Sequence, residues 1–212
     1  MKKILMVAMA LIVAAGAMNM NAGNAEKTAQ KYSKKQAKEA AKEGWKVDGI
    51  FTLEEVFYKY RMALAEEGNY PLTGVVSGST STKTVNQAKQ WAANNAAITY
   101  SKEAGMSMKG RIAQSITAGV GEAASDDSFY EAYEALVSKE IKGELKMSFG
   151  LFRETSHGVE YKAYYIINED KASKARMRAL ENLKKENDFA RQHAEDISNF
   201  VREGFQQAMP EE

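Results

Sequence analysis

Apolar positions along the chain change from helical spacing to strict alternation and back. The clearest alternation runs over residues 144–168, where Leu145, Met147, Phe149 and Leu151 are followed by Val159, Tyr161, Ala163, Tyr165 and Ile167. A period of two predicts two strands joined as a hairpin. If only one face of that sheet is covered, both apolar sets must lie on it. A two-residue loop of His157-Gly158 would set Leu151 opposite Tyr164 and put the sets on opposite faces. A three-residue loop, Ser156-His157-Gly158, sets Leu151 opposite Ala163 and Phe149 opposite Tyr165. That register is the expected one, with Gly158 in the left-handed position of a bulged turn. Residues Leu72 to Ser79, centred on Val75 and Val76, predict a further strand.

Helical spacing accounts for most of the rest. Residues 26–43 carry a narrow stripe of Ala29, Ser33, Ala37, Ala40 and Ala41, with Tyr32 the one large hydrophobe and lysines elsewhere. A helix so poor in apolar surface needs a partner. Gly44 ends it, Trp45 offers an anchor, and Val47 to Phe51 reads as a short extended link. Thr52 and Glu55 form a capping box that opens a helix through Val56, Phe57, Tyr60, Met62 and Leu64, stopped by Gly68-Asn69-Tyr70-Pro71. A long helix is expected from Thr84 to about Ala118, with Val85, Ala88, Ala92 and Ala96 buried, Trp91 and Ile98 flanking them, and a break possible near Gly105. Ser125-Asp126-Asp127 should cap a helix carrying Phe129, Tyr133, Leu136, Val137 and Ile141, closed by Gly143.

Asp170 should cap a last helix of about 36 residues, roughly 54 Å long. Along it Leu180, Leu183, Asn187, Ala190, Ala194, Ile197, Val201 and Gly204 keep 3–4 spacing. This is either a coiled-coil seam with an asparagine in it or an amphipathic helix lying on its own domain. The seam and the alanine stripe of residues 26–43 are expected to pack on one another through Ala29, Ala37 and Ala40, within one chain or across a dimer.

The leader changes this picture. Lys2 and Lys3 precede an apolar run, Ile4 to Ala17, and small residues follow, the pattern of a secretory signal peptide. Ala15-Gly16-Ala17 and Gly23-Asn24-Ala25 both suit cleavage, and Ala25 is preferred because Glu26 opens a polar segment. The alternative is an uncleaved anchor, for which the run is short against the roughly 20 residues of a spanning helix. There is no cysteine, which removes a lipidated cysteine, disulfides, thiolate catalysis and zinc–thiolate sites. Without Lys2 and Lys3 the 29 basic residues fall to 27 against 28 acidic. Near-neutrality leaves no electrostatic case for nucleic acid or for broad attraction to anionic membranes.

The segment GVVSGSTSTKT, residues 74–84, resembles a phosphate loop in running from strand to helix. It lacks the glycine beside Lys83 that a P-loop requires, and Gly74 and Gly78 are too far apart for the dinucleotide fingerprint. It reads as a connection, with Thr84 and Gln87 as a cap. His157 lies at a hairpin tip, and His193 has no ligand spacing to another histidine. Asp126-Asp127 reads as a helix start. No catalytic, cofactor-binding or metal-ligating residue is assigned, and no cofactor is expected; carboxylates assembled only by the fold stay open.

The order of parts resembles a known group. PLTGVVSGSTS, TVNQAKQWAANNAAI, the helix ending at Leu136 to Gly143 and MSFGLF…VEYKAYYII are in the style of the twenty-kilodalton membrane-associated lipoprotein family of Helicobacter. KKQAKEAAKEGWK is similar to the start of secreted proteins of unknown function from gut Bacteroidetes. The resemblance implies a cell-envelope α+β domain without established catalytic residues; the missing cysteine departs from the lipoprotein pattern. The expected organisation is a signal peptide, 1–25, and a single α+β domain, 26–212: an N-terminal helix (26–43), a core (72–168) with a small antiparallel sheet packed by Ala-rich helices, and a long C-terminal helix (170–205). The expected function is an exported binding or assembly module of the periplasm or outer envelope, without evident catalysis. Its expected partner is an unknown envelope protein, or a second copy through the C-terminal helix, with no nucleic acid and no integral span in the mature chain. The alternatives are an envelope hydrolase and a helical oligomeric scaffold.

Overall fold

The computed structural model describes residues 22–78, 82–116, 127–192 and 194–203. Among them, α1 (Ala22–Lys42), β1 (Lys46–Val47), α2 (Leu53–Ala63), β2 (Asn69–Val76), α3 (Val85–Ile116) and α4 (Asp127–Ile141) come first. β3 (Lys146–Thr155), β4 (Gly158–Asn168), α5 (Glu169–Leu183), α6 (Asp188–Gln192) and α7 (Ala194–Glu203) follow. The strands form one antiparallel sheet in the order β1-β3-β4-β2, so the fold is α+β, as expected. Most of the leader, the Ser125-Asp126 cap, His193 and Gly204 lie outside the described residues.

The hairpin register differs from the expected one. Thr155 pairs with Gly158 across the two residues Ser156 and His157, so Phe149 faces Tyr164 and Leu151 faces Lys162. Gly158 does carry a positive φ, 122°. A bulge between Met147 and Phe149 switches the parity of β3. Met147 therefore lies with Tyr165 on one face, while Phe149 and Leu151 lie with Tyr164 on the other. The expectation failed because it assumed one covered face, and both are covered.

On the first face Tyr161, Ala163, Tyr165 and Ile167 pack with residues of α3, α4, α5 and α7 in one large core. On the second, Phe149, Leu151 and Tyr164 pack with Val56, Phe57 and Tyr60 of α2, and with Ala40 and Trp45 at the end of α1. The Phe149 and Tyr164 rings stack at 4.4 Å, and Phe57 meets Phe149 edge-on at 5.1 Å. The partner of α1 is thus α2, and the expected packing of Ala37 and Ala40 on the 180–201 seam is corrected: both join the α2 cluster on the opposite side of the sheet. The Thr52–Glu55 capping box of α2 is formed as expected.

Within the described residues α3 is continuous past Gly105, and Ala88, Ala92 and Ala96 are fully buried on it. A Cβ at Gly74 of β2 would fall on the carbonyl oxygen of Ala92, so glycine on the strand and alanine on the helix together set this close approach.

The long C-terminal helix is also corrected. It begins at Glu169 with Asn168 in the cap position, so Asp170 stands in its first turn. It stops at Leu183, whose carbonyl accepts from the backbone of both Glu186 and Asn187. Asn187 then caps α6, its Oδ1 accepting from the Ala190 N–H at 2.9 Å. Asparagine competes well for such a bond, which is why it ends one helix and starts the next. The chain folds back, and Leu180, Leu183, Ala190, Ile197 and Val201 are all buried in the chain's own core. A straight helix of roughly 54 Å would have carried Ile197 and Val201 past the domain, losing about 1.5–3 kcal/mol for each side chain left in water. The apolar spacing is real, but it faces inward rather than forming a coiled-coil seam.

Candidate functional site

Three groupings of polar residues are brought together by the fold, and each is bonded within the structure. The most buried centres on Arg176 of α5, only 2% exposed. Its guanidinium donates to Glu169 Oε1 at 2.5 Å, to the Tyr100 hydroxyl at 2.5 Å and to the Val201 carbonyl at 3.2 Å. Arg111 donates to the Phe200 carbonyl at 3.1 Å. Phe200 and Val201 lie in the last turn of α7, whose carbonyls have no partner inside the helix, so two arginines serve as its cap. Burial opposes the charge on Arg176, but Tyr100 and Glu169 outweigh it and hold its pKa up. Burial raises the hydroxyls of Tyr100 and Tyr70. The crevice beside Arg176 and Tyr133 measures about 10 Å³, room for about one water, so this network holds α3, α5 and α7 together.

The second grouping joins Asp48, Lys89 and Tyr161. Tyr161 donates to Asp48 Oδ2 at 2.7 Å, and Lys89 Nζ donates to the same oxygen at 2.9 Å. A Cβ at Gly150 would fall on the Tyr161 hydroxyl, so glycine there lets the ring reach Asp48. Burial alone would raise the Asp48 pKa, but the bonds from Tyr161 and Lys89 lower it overall. Burial and Asp48 push the Tyr161 hydroxyl up, the direction opposite to that of an activated base. A carboxylate lowered in the folded state adds stability above its unfolded pKa, near 3.8, and loses it as pH falls through the folded value. Asp48→Asn should therefore be less stable than the native chain at pH 6. The gap should narrow as pH falls below the unfolded value near 3.8, read as urea midpoints from pH 6 downward; a gap independent of pH would refute the assignment.

The third is a carboxylate pair. Glu140 and Glu144 converge on Arg178, accepting from Nε at 2.8 Å and from Nη2 at 3.0 Å. Both carboxylates are committed to the guanidinium, so they clamp α4 to α5. Among the described residues no cluster of His, Asp or Glu is placed to hold a metal ion. His157 sits in the hairpin turn. Of the 74–84 segment, residues 79–81 lie outside the described residues; at its end the Lys83 and Thr84 N–H groups donate to Gln87 Oε1, and Gln87 N–H donates to Thr84 Oγ1, as a cap. N–H groups that a phosphate cradle would aim outward are thus turned onto Gln87.

Apart from Ile50 and Phe51 in the link before α2, the large apolar side chains left exposed among the described residues gather along α3. Trp91, Ile98 and Met106 are 51%, 45% and 65% exposed. At 100° per residue they lie within about 80° of one another, over about 22 Å of helix. Val75, on the edge strand β2, is exposed beside them, and Asn95 Nδ2 donates to the Val75 carbonyl at 2.9 Å. That bond occupies a carbonyl on the open edge of the sheet, where an added strand would otherwise pair. Helical spacing puts Trp91 and Ile98 on the flanks of a buried face, and the spacing of Met106 from Ile98 adds it to the same row. Among the described residues no helix is long and apolar enough to cross a membrane. Comparison with family models, with curated proteins and with solved structures finds no match to any of them.

Proposed function

We propose that the protein is an exported cell-envelope module that works by assembly, and that the row on α3 is the contact through which it meets a second copy of itself. The basic, apolar leader supports the location. The α3 row supports the contact, because its spacing is self-complementary. An antiparallel pairing of two α3 helices about a two-fold axis between Ile98 and Thr99 sets Trp91 against Met106 of the second copy. The two Ile98 side chains meet near the axis, and Asn95 stands opposite Lys102 of the second copy. Such an isologous contact closes after two copies, and a tryptophan against a methionine is a favourable anchor pair. The capped edge of β2 argues against an extended peptide as the occupant.

Ile98→Lys places two charges at the axis without touching the monomer's core. The native protein should sediment as a dimer and the variant as a monomer, with unchanged circular dichroism. A native protein that is monomeric at every concentration, or a variant that still dimerises, rejects this reading. Export is tested separately, by N-terminal sequencing of the chain recovered from the envelope fraction; a chain beginning at Met1 there rejects cleavage.

A further inference from the structure

Near-neutral net charge conceals a segregated surface on α1. Lys27, Lys31, Lys34, Lys35, Lys38 and Lys42 are all exposed. At 100° per residue they fall within an arc of about 100° and run about 22 Å along the helix. The carboxylates of the same helix, Glu26 and Glu39, fall outside that arc. Residues 26–43 hold six lysines against three glutamates, while the remainder of the chain after residue 25 holds 21 basic against 25 acidic residues. None of the six lysines has an ion-pair partner among the described residues.

A merely solvated helix face gains from Glu–Lys pairs at i,i+4. Here four of the five charged pairs at that spacing are like-charged, Lys27 with Lys31, Lys31 with Lys35, Lys34 with Lys38, and Lys38 with Lys42, and only Lys35 meets a carboxylate, that of Glu39. Like charges at these spacings destabilise a helix, and a dense anionic surface removes the penalty by supplying the counter-charge. We infer that this lysine strip is a docking surface for an anionic lipid bilayer, bound peripherally through its headgroups. The strip is straight, lies on one side of a helix and has no aromatic or apolar side chain within it. That suits a plane of phosphates and gives nothing to insert. Single-stranded nucleic acid would call for aromatic stacking platforms, and bidentate phosphate recognition would call for arginine; the strip has neither. Because α1 packs on α2, on the sheet face opposite α3, docking does not rest on the assembly reading.

The test is co-sedimentation of the chain lacking residues 1–25 with vesicles of phosphatidylcholine, alone or containing phosphatidylglycerol. Binding is expected to the anionic vesicles only, and should be lost in high salt because exposed charges are screened. Replacing Lys31, Lys34 and Lys38 together by glutamine should weaken binding by roughly a hundredfold, at about fivefold per lysine near the surface. Replacing Lys139, Lys142 and Lys146, which remove the same charge elsewhere, should leave it unchanged. All these positions are exposed, and circular dichroism checks that each variant folds. No binding to phosphatidylglycerol vesicles, equal weakening by both triple variants, or tighter binding to a random DNA duplex than to the vesicles would each overturn the inference.

Discussion

Arg176→Ala is expected to lower the unfolding free energy by about 3–5 kcal/mol, the cost of breaking a buried charged pair by deleting one partner. The side chain is 2% exposed and bonds Glu169, Tyr100 and the Val201 carbonyl. Its loss strands the Glu169 carboxylate, and it uncaps the end of α7 that the fold-back depends on. The double change Arg176→Met with Glu169→Gln removes both charges and keeps the volume. It should recover more than half of the loss, because a matched apolar replacement avoids the uncompensated charge. Denaturant unfolding of the single and double variants measures this. A loss under about 1 kcal/mol for Arg176→Ala, or a double variant weaker than the single, would show that the network does not anchor α7.

Phe149→Ala should cost a comparable amount, about 3–5 kcal/mol, from the other side of the sheet. Phe149 stacks on Tyr164, meets Phe57 and Tyr60 edge-on, and is 5% exposed. The same packing buries the Tyr164 hydroxyl and pushes it up to about 12. If Phe149 lay on the α3 face, its removal would loosen the contact of β2 with α3; on the observed face it loosens α1 and α2 first. Hydrogen exchange of the variant separates the two, with the largest protection loss expected at α2 and the end of α1. Loss centred on α3, or a denaturant midpoint unchanged by the substitution, would contradict the observed register.

The expected stability effects come from positions where packing, rather than local pattern, made the decision. The candidate surfaces were legible only in part. All six lysines of residues 27–42 are visible in the sequence, but net charge averaged them against a distant acidic excess. Their isolation follows from the packing of Ala37 and Ala40 of α1 onto α2, which turns the lysines outward. Spacing alone puts Trp91 and Ile98 beside the buried face of α3, and neighbouring positions on a helix do not say how wide a stripe the sheet will cover.

Local signals determined the elements whose causes are local. The Thr52–Glu55 capping box, the positive φ of Gly44, Gly68 and Gly158, and the Thr84–Gln87 cap depend on residues within a few positions of each other, and all are formed. The α+β class and the buried alanines of α3 were legible from the periodicity of each segment. Tertiary structure alone decided the hairpin register, the partner of α1 and the break after Leu183. In the first, a period of two cannot report that both faces are covered or that a bulge before Phe149 will divide one apolar run between them. In the second, an alanine stripe fits many partners. In the third, continuous 3–4 spacing suits a straight helix and a folded one equally, and what separates them is burial of Ile197 and Val201 against α5 and α3, reached only when Asn187 caps a new helix and Arg176 takes hold of its end.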